Sequence, residues 1–433
     1  MSSVTSQLWH GMSKHLYSSS TYKHNSGGDP DKILDLTHEE LVNFHRKHYH
    51  PSNATFFTYG KIDPVQIQEF IKKNVLESFQ PSSEVIAVKN EERISSPKIV
   101  SDLYNPMPGD EDNHHVVISW LLNESHDPVE LLETYLMSNI LLDNSASPLR
   151  KVLENSKLGK SPSPLTGLEA DQKEMVFAAG LEGVKKDQHI AVESLITDCL
   201  QNLILDGIPR ELVDSSLHQL EIRQREITGS GMPFGLQIML TCLPACIHND
   251  DPLNILDLDN AFNVIKERLN RDNYIEGLIE KHLINNPHKL NYSLVPDTEF
   301  NRRNEEAIIE KVHQKTESLS VDDKNKIVAL AEALEERQER IDDPEILPKV
   351  TKEDIPLSRN YPNPSISVVN NINNIQDTPN TGMPFDPSFF FNFMNQFNKI
   401  NSFRGMPGFP GMSGMSGMSG MSEIKDINCC IKI

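Results

Sequence analysis

The sequence predicts an α+β protein: sheet-plus-helices domains, then a helical hairpin, then a disordered tail. Three patterns predict it. Residues 37–76 read helix, turn, strand, helix. Residues 116–295 alternate apolar strands with helices, enough for one sheet with helices packed on it. Residues 298–342 turn to Glu, Lys, Arg and Ala at helical spacing, and from 358 onward to Asn, Pro, Phe, Gly and Met.

The elements follow in order. Residues 9–17 read as a short amphipathic helix. Ser26-Gly27-Gly28-Asp29-Pro30 is a turn, because glycine permits positive φ and proline fixes the φ that follows. Thr37 opens a helix, and Glu40 three residues on completes a capping box. Pro51 ends that segment. Residues 54–59, aromatic-rich and closed by Gly60, read as a buried strand, and Asp63-Pro64 starts another helix through about 76. Residues 80–115 read as an extended linker with strand pieces. Strands are expected at 115–122 and 174–183, helices at 128–142, 148–158, 187–206 and 209–227, and a closing strand at 290–295. The helices at 304–317 and 321–341 make an αα-hairpin, turning near Ser318 to Ser320 and stopped by Asp343-Pro344. Residues 411–422 are four copies of Gly-Met-Ser. That stretch has too little to bury in a core and is expected to be disordered.

Composition excludes some functions. Lys and Arg number 41 against 62 Asp and Glu, a formal charge of -21, whereas a nucleic-acid binder needs a basic face. No run reaches the ~18 apolar residues of a membrane span. Five cysteines are too few for a disulfide scaffold and suit a reducing compartment. Cys242 and Cys246, one helical turn apart, read as small packed residues, since no second pair completes a zinc site. Cys430-Ile431-Lys432-Ile433 only outlines a prenylation box, with lysine at an aliphatic position.

Histidine, with 16 copies, is the conspicuous polar type. His45, His48 and His50 surround a helix end and read as positive charge at a C-terminus. His114-His115 opens a strand and reads as solvent-facing plus structural. His-Glu-x-x-His does not occur; His38-Glu39 has no second ligand after it. His-x-x-Glu-His is absent too, as are the Gly-x-Ser-x-Gly elbow, the phosphate-binding loop and the Rossmann fingerprint. Spacing alone yields no catalytic, cofactor-binding or metal-ligating residue.

Several segments nevertheless resemble one family. They are residues 21–30 (Thr-Tyr-Lys-His-Asn-Ser-Gly-Gly-Asp-Pro), residues 44–54 (Phe-His-Arg-Lys-His-Tyr-His-Pro-Ser-Asn-Ala), Phe57-Thr58-Tyr59-Gly60 and Ser147-Pro148-Leu149. Further on come Gly231-Met232-Pro233-Phe234-Gly235-Leu236, Asn286-Pro287-His288-Lys289-Leu290 with Val295-Pro296-Asp297, and residues 342–350 (Asp-Asp-Pro-Glu-Ile-Leu-Pro-Lys-Val). In this order the chain resembles the presequence protease branch of the pitrilysin, insulinase-like zinc metallopeptidases, from residue 1 to about 357. The resemblance implies pitrilysin-like, metallohydrolase-type domains. Residues 1–75 then correspond to the C-terminal part of a first peptidase-like domain, 80–297 to a second, 298–342 to the hairpin connector, 343–357 to the start of a third domain, and 358–433 to the tail.

Family members carry His-x-x-Glu-His, whose histidines bind zinc and whose glutamate activates water, with a third ligand, a glutamate, downstream. No residue here matches them. The family's text resembling Met1 to Trp9 follows that last glutamate, so the chain reads as starting just past the metal site. The expectation is a presequence-protease-like homologue, inactive on its own and without a cofactor of its own, zinc belonging to the family. The alternative is a non-catalytic binding subunit associated with a catalytic peptidase half in trans. A third reading assigns the function to the Gly-Met-Ser tail. Partners implied are unfolded peptides and such a catalytic half, with no nucleic acid. The resemblance points to the mitochondrial matrix, although no targeting segment is visible; otherwise the chain is expected to be cytoplasmic.

Overall fold

The computed structural model describes residues 3–226, 232–355, 358 and 431–432. The chain divides into two compact units, Met1–Asn304 with Ser402–Ile433, and Glu305–Asn401.

The first helix, α1 (Val4–Leu16), starts where the Ser3 side chain accepts from Ser6 N–H, earlier than its apolar spacing suggested. Leu8, Gly11, Met12 and Leu16 form its buried stripe, the spacing of one helical face. Helix α2 (His38–His48) has the expected capping box, with Thr37 and Glu40 bonded reciprocally. The strand expected at 54–59 shrinks to β1 (Thr55–Phe56). It is not buried, and its partner is β8 (Ile431–Lys432) rather than the main sheet. Its aromatic residues marked it as core, but the main sheet's partners lie elsewhere. Helix α3 (Pro64–Asn74) is capped by Asp63.

Among the described residues the main sheet has six strands: β2 (Lys98–Tyr104), β3 (His114–Glu124), β4 (Ser161–Pro162), β5 (Gly167–Glu169), β6 (Glu174–Val184) and β7 (Lys289–Pro296). Its order is β2-β7-β3-β6-β4, with β5 also on β6. Only the β2–β7 pair is parallel. The strand expected to close the sheet, β7, is therefore interior, inserted between β2 and β3. Chain order does not reveal this, because parallel neighbours are joined by long crossovers.

Strand β3 is buried on both faces, which explains its unbroken apolar run. On one face Val116, Ile118 and Trp120, with Phe177 and Leu181 of β6, meet α4 (Pro128–Leu142) and α6 (His189–Asp206). Helix α4 begins where Asp127 accepts from two backbone N–H groups ahead of Pro128, an N-cap with proline at the first helical position. Around that layer stand α5 (Pro148–Asn155), α7 (Arg210–Arg225), α8 (Phe234–Ile247), α9 (Leu253–Leu256), α10 (Asp259–Arg268) and α11 (Tyr274–Ile279), the last running into a π turn, Glu280–Ile284. On the other face Val117, Leu121, Leu290, Tyr292 and Leu294 pack under α1.

A side chain at Gly11 would collide with the Tyr292 ring, so the glycine sets how closely α1 lies on the sheet. Gly11→Ala is expected to lift the helix and to destabilise the protein by ~2 kcal/mol, an overpacking cost. Urea titration of the variant beside the parent checks this.

His114 and His115 are corrections: both are buried, not solvent-facing. The central strand that carries them is covered on both sides. Within the second unit, α13 (Val321–Glu339) is exposed along its length, and the turn before it falls at Ser318 to Ser320 as expected. The helix that feeds this unit, α12 (Phe300–Glu317), is also exposed. The Gly-Met-Ser repeats, Cys429 and Cys430 lie outside the described residues.

Candidate functional site

The densest polar cluster lies at the sheet end where β3 finishes and β6 and β7 begin. The β3–β6 ladder changes register between Leu121 and Glu124, so carbonyls there need other partners. Arg93 supplies them, donating to Leu121 O at 2.8 Å and Leu122 O at 2.6 Å. The same guanidinium pairs with Glu174 Oε1 at 2.6 Å, and Glu174 Oε2 accepts from Glu91 N–H at 2.6 Å. Glu174 opens β6 and is 3% exposed. Burial pushes its carboxyl pKa up, against the Glu91 N–H and the Arg93 charge.

The Glu91 side chain is in turn held by a serine loop just after α1. It accepts from Ser18 N (2.7 Å) and Ser18 Oγ (2.6 Å), from Ser19 N (3.1 Å) and Ser19 Oγ (3.0 Å), and from Ser20 N (2.7 Å). Burial opposes its ionisation, but the Ser18 donors, with Ser20 and Ser19 N–H, outweigh it and bring the carboxyl down to about 2. His288, fully buried at the start of β7, completes the cluster. Its Nε2 lies 2.9 Å from Leu16 O and its Nδ1 accepts from Ile94 N–H at 3.4 Å, which defines a neutral ring protonated on Nε2. Tyr17 donates to Gln172, while Tyr22 Oη shares a 2.8 Å hydrogen bond with His248 Nε2 and accepts from Lys173 N–H.

This arrangement fastens; it does not activate. Both oxygens of each carboxylate are occupied by donors, and no nucleophile stands beside a free base. What it does is tie residues 16–22 and 91–94 to the end of the sheet. Sequence reasoning missed it. Its visible signals were an acid opening an apolar strand at Glu174 and three consecutive serines after a helix.

The residues singled out from sequence come together differently. His45 stacks on Tyr49 and His48 on Phe44, with ring centroids 4.8 and 4.1 Å apart, while His50 Nδ1 accepts from Ser52 N–H. The three histidines thus serve three separate local contacts. Cys242 is buried and Cys246 half-buried, and neither carries a disulfide. Among the described residues no group of three His, Cys, Asp or Glu side chains is placed to hold a metal ion. The zinc that the resemblance implies therefore has no fitting donor set among them.

Residues 30–79 pose the opposite problem, apolar groups left without cover. Neither α2 nor α3 buries a residue. Leu41 is 60% exposed, Phe44 57% and Phe70 66%. Beside them His50, Pro51, Phe56, Val75 and Phe79 line an open cleft of about 350 Å³. An amphipathic helix with its apolar stripe in water marks an interaction surface.

Residues 35–220 match the family described as Peptidase M16 inactive domain, and residues 294–381 match the family described as associated with subfamily C of the same M16 peptidases. Presequence protease 1, chloroplastic/mitochondrial, of Arabidopsis thaliana is 32% identical over 369 residues, 81% of this chain and 33% of the relative. The mitochondrial presequence protease of Xenopus tropicalis is 30% identical over 342 residues, 77% and 33%. Protein HypA of Clostridium perfringens is 29% identical over 359 residues, 82% and 37%. The chain thus spans about a third of the length of these relatives. Among solved structures, a protease from Helicobacter pylori superposes with a TM-score of 0.51 at 16% identity, covering 67% of each chain. The first half of the periplasmic protease PqqL from Escherichia coli gives 0.50 at 12% identity, covering 68% of this chain and 63% of that one. These likenesses establish the α+β fold. No helix among the described residues is long and apolar enough to cross a membrane.

Proposed function

The chain belongs to the peptidase M16 family, alongside the presequence proteases, and from that premise we propose that it is a peptidase scaffold for targeting peptides and other short unfolded peptides that does not hydrolyse them alone. In this reading it works in the mitochondrial matrix, where the name of the relative from Xenopus places that protein. The observation that carries it is the uncovered apolar side of α2 and α3. An apolar side of this kind calls for more protein packed against it, and a metal-bearing peptidase segment is the partner the family premise supplies. Donors for a catalytic metal come from that segment in trans, since those described here do not assemble one.

The purified chain tests this. Elemental zinc well below one per chain and no chelator-sensitive cleavage of a basic presequence peptide are expected. Zinc near one per chain, with cleavage abolished by chelator, overturns the reading. Adding a zinc-bearing N-terminal segment of a presequence protease is expected to confer cleavage, and Leu41→Glu with Phe44→Glu to abolish it. Equal activity of that double variant would show that α2 is not the docking face.

A further inference from the structure

The sheet itself has an open side. Strand β2 lies at its margin, paired with β7 and, among the described residues, with no other strand. Edge strands offer a row of backbone donors and acceptors, and proteins normally blunt them with charge, proline or a covering element. Here the side chains turned toward the α6 face are Ile99, Ser101 and Leu103, all exposed. Ile99 is 60% exposed and Leu103 42%. Helix α6 does not reach them: its start is held over β7, where Asn291 Nδ2 donates to His189 O and to Glu193 Oε2.

We infer that the β2 edge pairs with the β2 edge of a second copy of this chain, antiparallel and centred on Ser101, joining two sheets into one. The argument is self-complementarity. A two-fold axis through Ser101 places Ile99 opposite Leu103 of the other copy and Leu103 opposite its Ile99. The exposed apolar pair thus covers its own image, and directly opposed apolar side chains are what stabilises one strand on another. On the other face the same register sets Val100 against Asp102 and Lys98 against Tyr104, so no like charges meet. Asp102 is already engaged, by His15 Nε2 at 2.9 Å and Tyr292 Oη at 3.2 Å, and Lys98 Nζ by His15 O at 3.2 Å. A one-residue slip brings Ile99 opposite Asp102 in one direction, or Ser101 opposite Asp102 in the other. Either slip breaks the apolar match, which fixes the register. Two-fold pairing of one patch with itself is the closed symmetry such an edge allows.

Seven paired residues fall short of the ~1,600 Å² of a standard interface, so association in the micromolar range is expected. Each chain carries a formal charge of -21, so raising the salt from low to physiological strength is expected to increase the dimer fraction.

The test uses the full chain with serine 101 replaced, Ser101→Cys. Residues opposite one another in an antiparallel ladder have Cα atoms about 4.5–5.5 Å apart, within the ~4.4–6.8 Å that a disulfide spans. Mild oxidation is expected to give a covalent dimer whose tryptic digest contains the 101–101 linkage, well above the parent's background. The variant Ile99→Lys/Leu103→Lys, whose changes are both at exposed positions, is expected to sediment as monomer with unchanged thermal stability. Failure of Ser101→Cys to cross-link above the parent overturns the proposal. So does a salt-insensitive monomer up to about 100 µM, or linkage through other cysteines only. Cross-linking of Ser101→Cys to an added extended peptide but not to itself overturns it in favour of peptide capture. None of these outcomes depends on metal or hydrolysis.

Discussion

Replacing Glu91 with alanine is expected to free residues 16–22 from the sheet and to lower stability by ~3 kcal/mol, the cost of breaking a buried, charge-assisted network. The reasoning starts from the donors. Three consecutive backbone N–H groups, of Ser18, Ser19 and Ser20, point at one carboxylate with two serine hydroxyls. Removing the acceptor leaves the Ser20 N–H in a buried position without its partner, and an unpaired buried donor is costlier than a missing bond. Glu91→Gln keeps one acceptor oxygen but not the charge, so it is expected to fall between alanine and the parent. The damage should also be local. Trypsin is expected to cut at Lys14 and Lys23 in the alanine variant before cutting the core, because α1 loses the anchor at its C-terminal end. Unchanged cleavage kinetics, with a urea midpoint equal to the parent's, would mean that His288 and Tyr17 hold the segment without Glu91.

That network also explains what could and could not be read from the chain. Elements closed by local chemistry were legible. Thr37 and Glu40 cap α2 three residues apart, Asp127-Pro128 starts α4, and Val117 to Leu122 is apolar enough to be a strand on any surface. Helix α8 was not singled out, because Pro244 interrupts its pattern and its apolar residues go all round. The place of β7 was not legible, since a parallel neighbour leaves no local mark. Nor was the clamp, whose partners stand 71 to 83 residues apart in sequence. Serine and glutamate in such stretches look like any solvated loop until the fold brings them together. The two buried histidines of β3 failed for a related reason: polarity suggests solvent, but the sheet's two covered faces leave them no route to it. For the candidate site, sequence carried the family and the lack of its zinc motif, whereas the uncovered side of α2 and α3 needed coordinates.

Acid is expected to weaken the fold well before its carboxylates protonate. His282, in the π turn before β7, is 6% exposed. Burial, with the neighbouring Lys281 charge adding to it, pushes its imidazole down to about 4. Burial lowers His115, His248 and His288 in the same direction. The sign follows from linkage. An unfolded histidine takes up its proton near pH 6.5, while the folded chain refuses it until pH about 4 at His282. Stability is therefore unaffected above about 6.5, declines as pH falls below that value, and levels off under the folded pKa. The gap from 6.5 to about 4 makes His282 alone worth ~3 kcal/mol at the acid end. Glu91 works in a different window: its depressed carboxyl keeps its contribution above about 4.5 and loses it only as pH falls through about 2. A decline between pH 6.5 and 4.5 thus belongs to the histidines. Urea midpoints measured across that range are expected to drop steadily in the parent, and less steeply in His282→Leu once the two are compared at equal stability at pH 7. An identical slope in the variant would show that His282 is protonated in the folded protein, and that its burial does not exclude the charge.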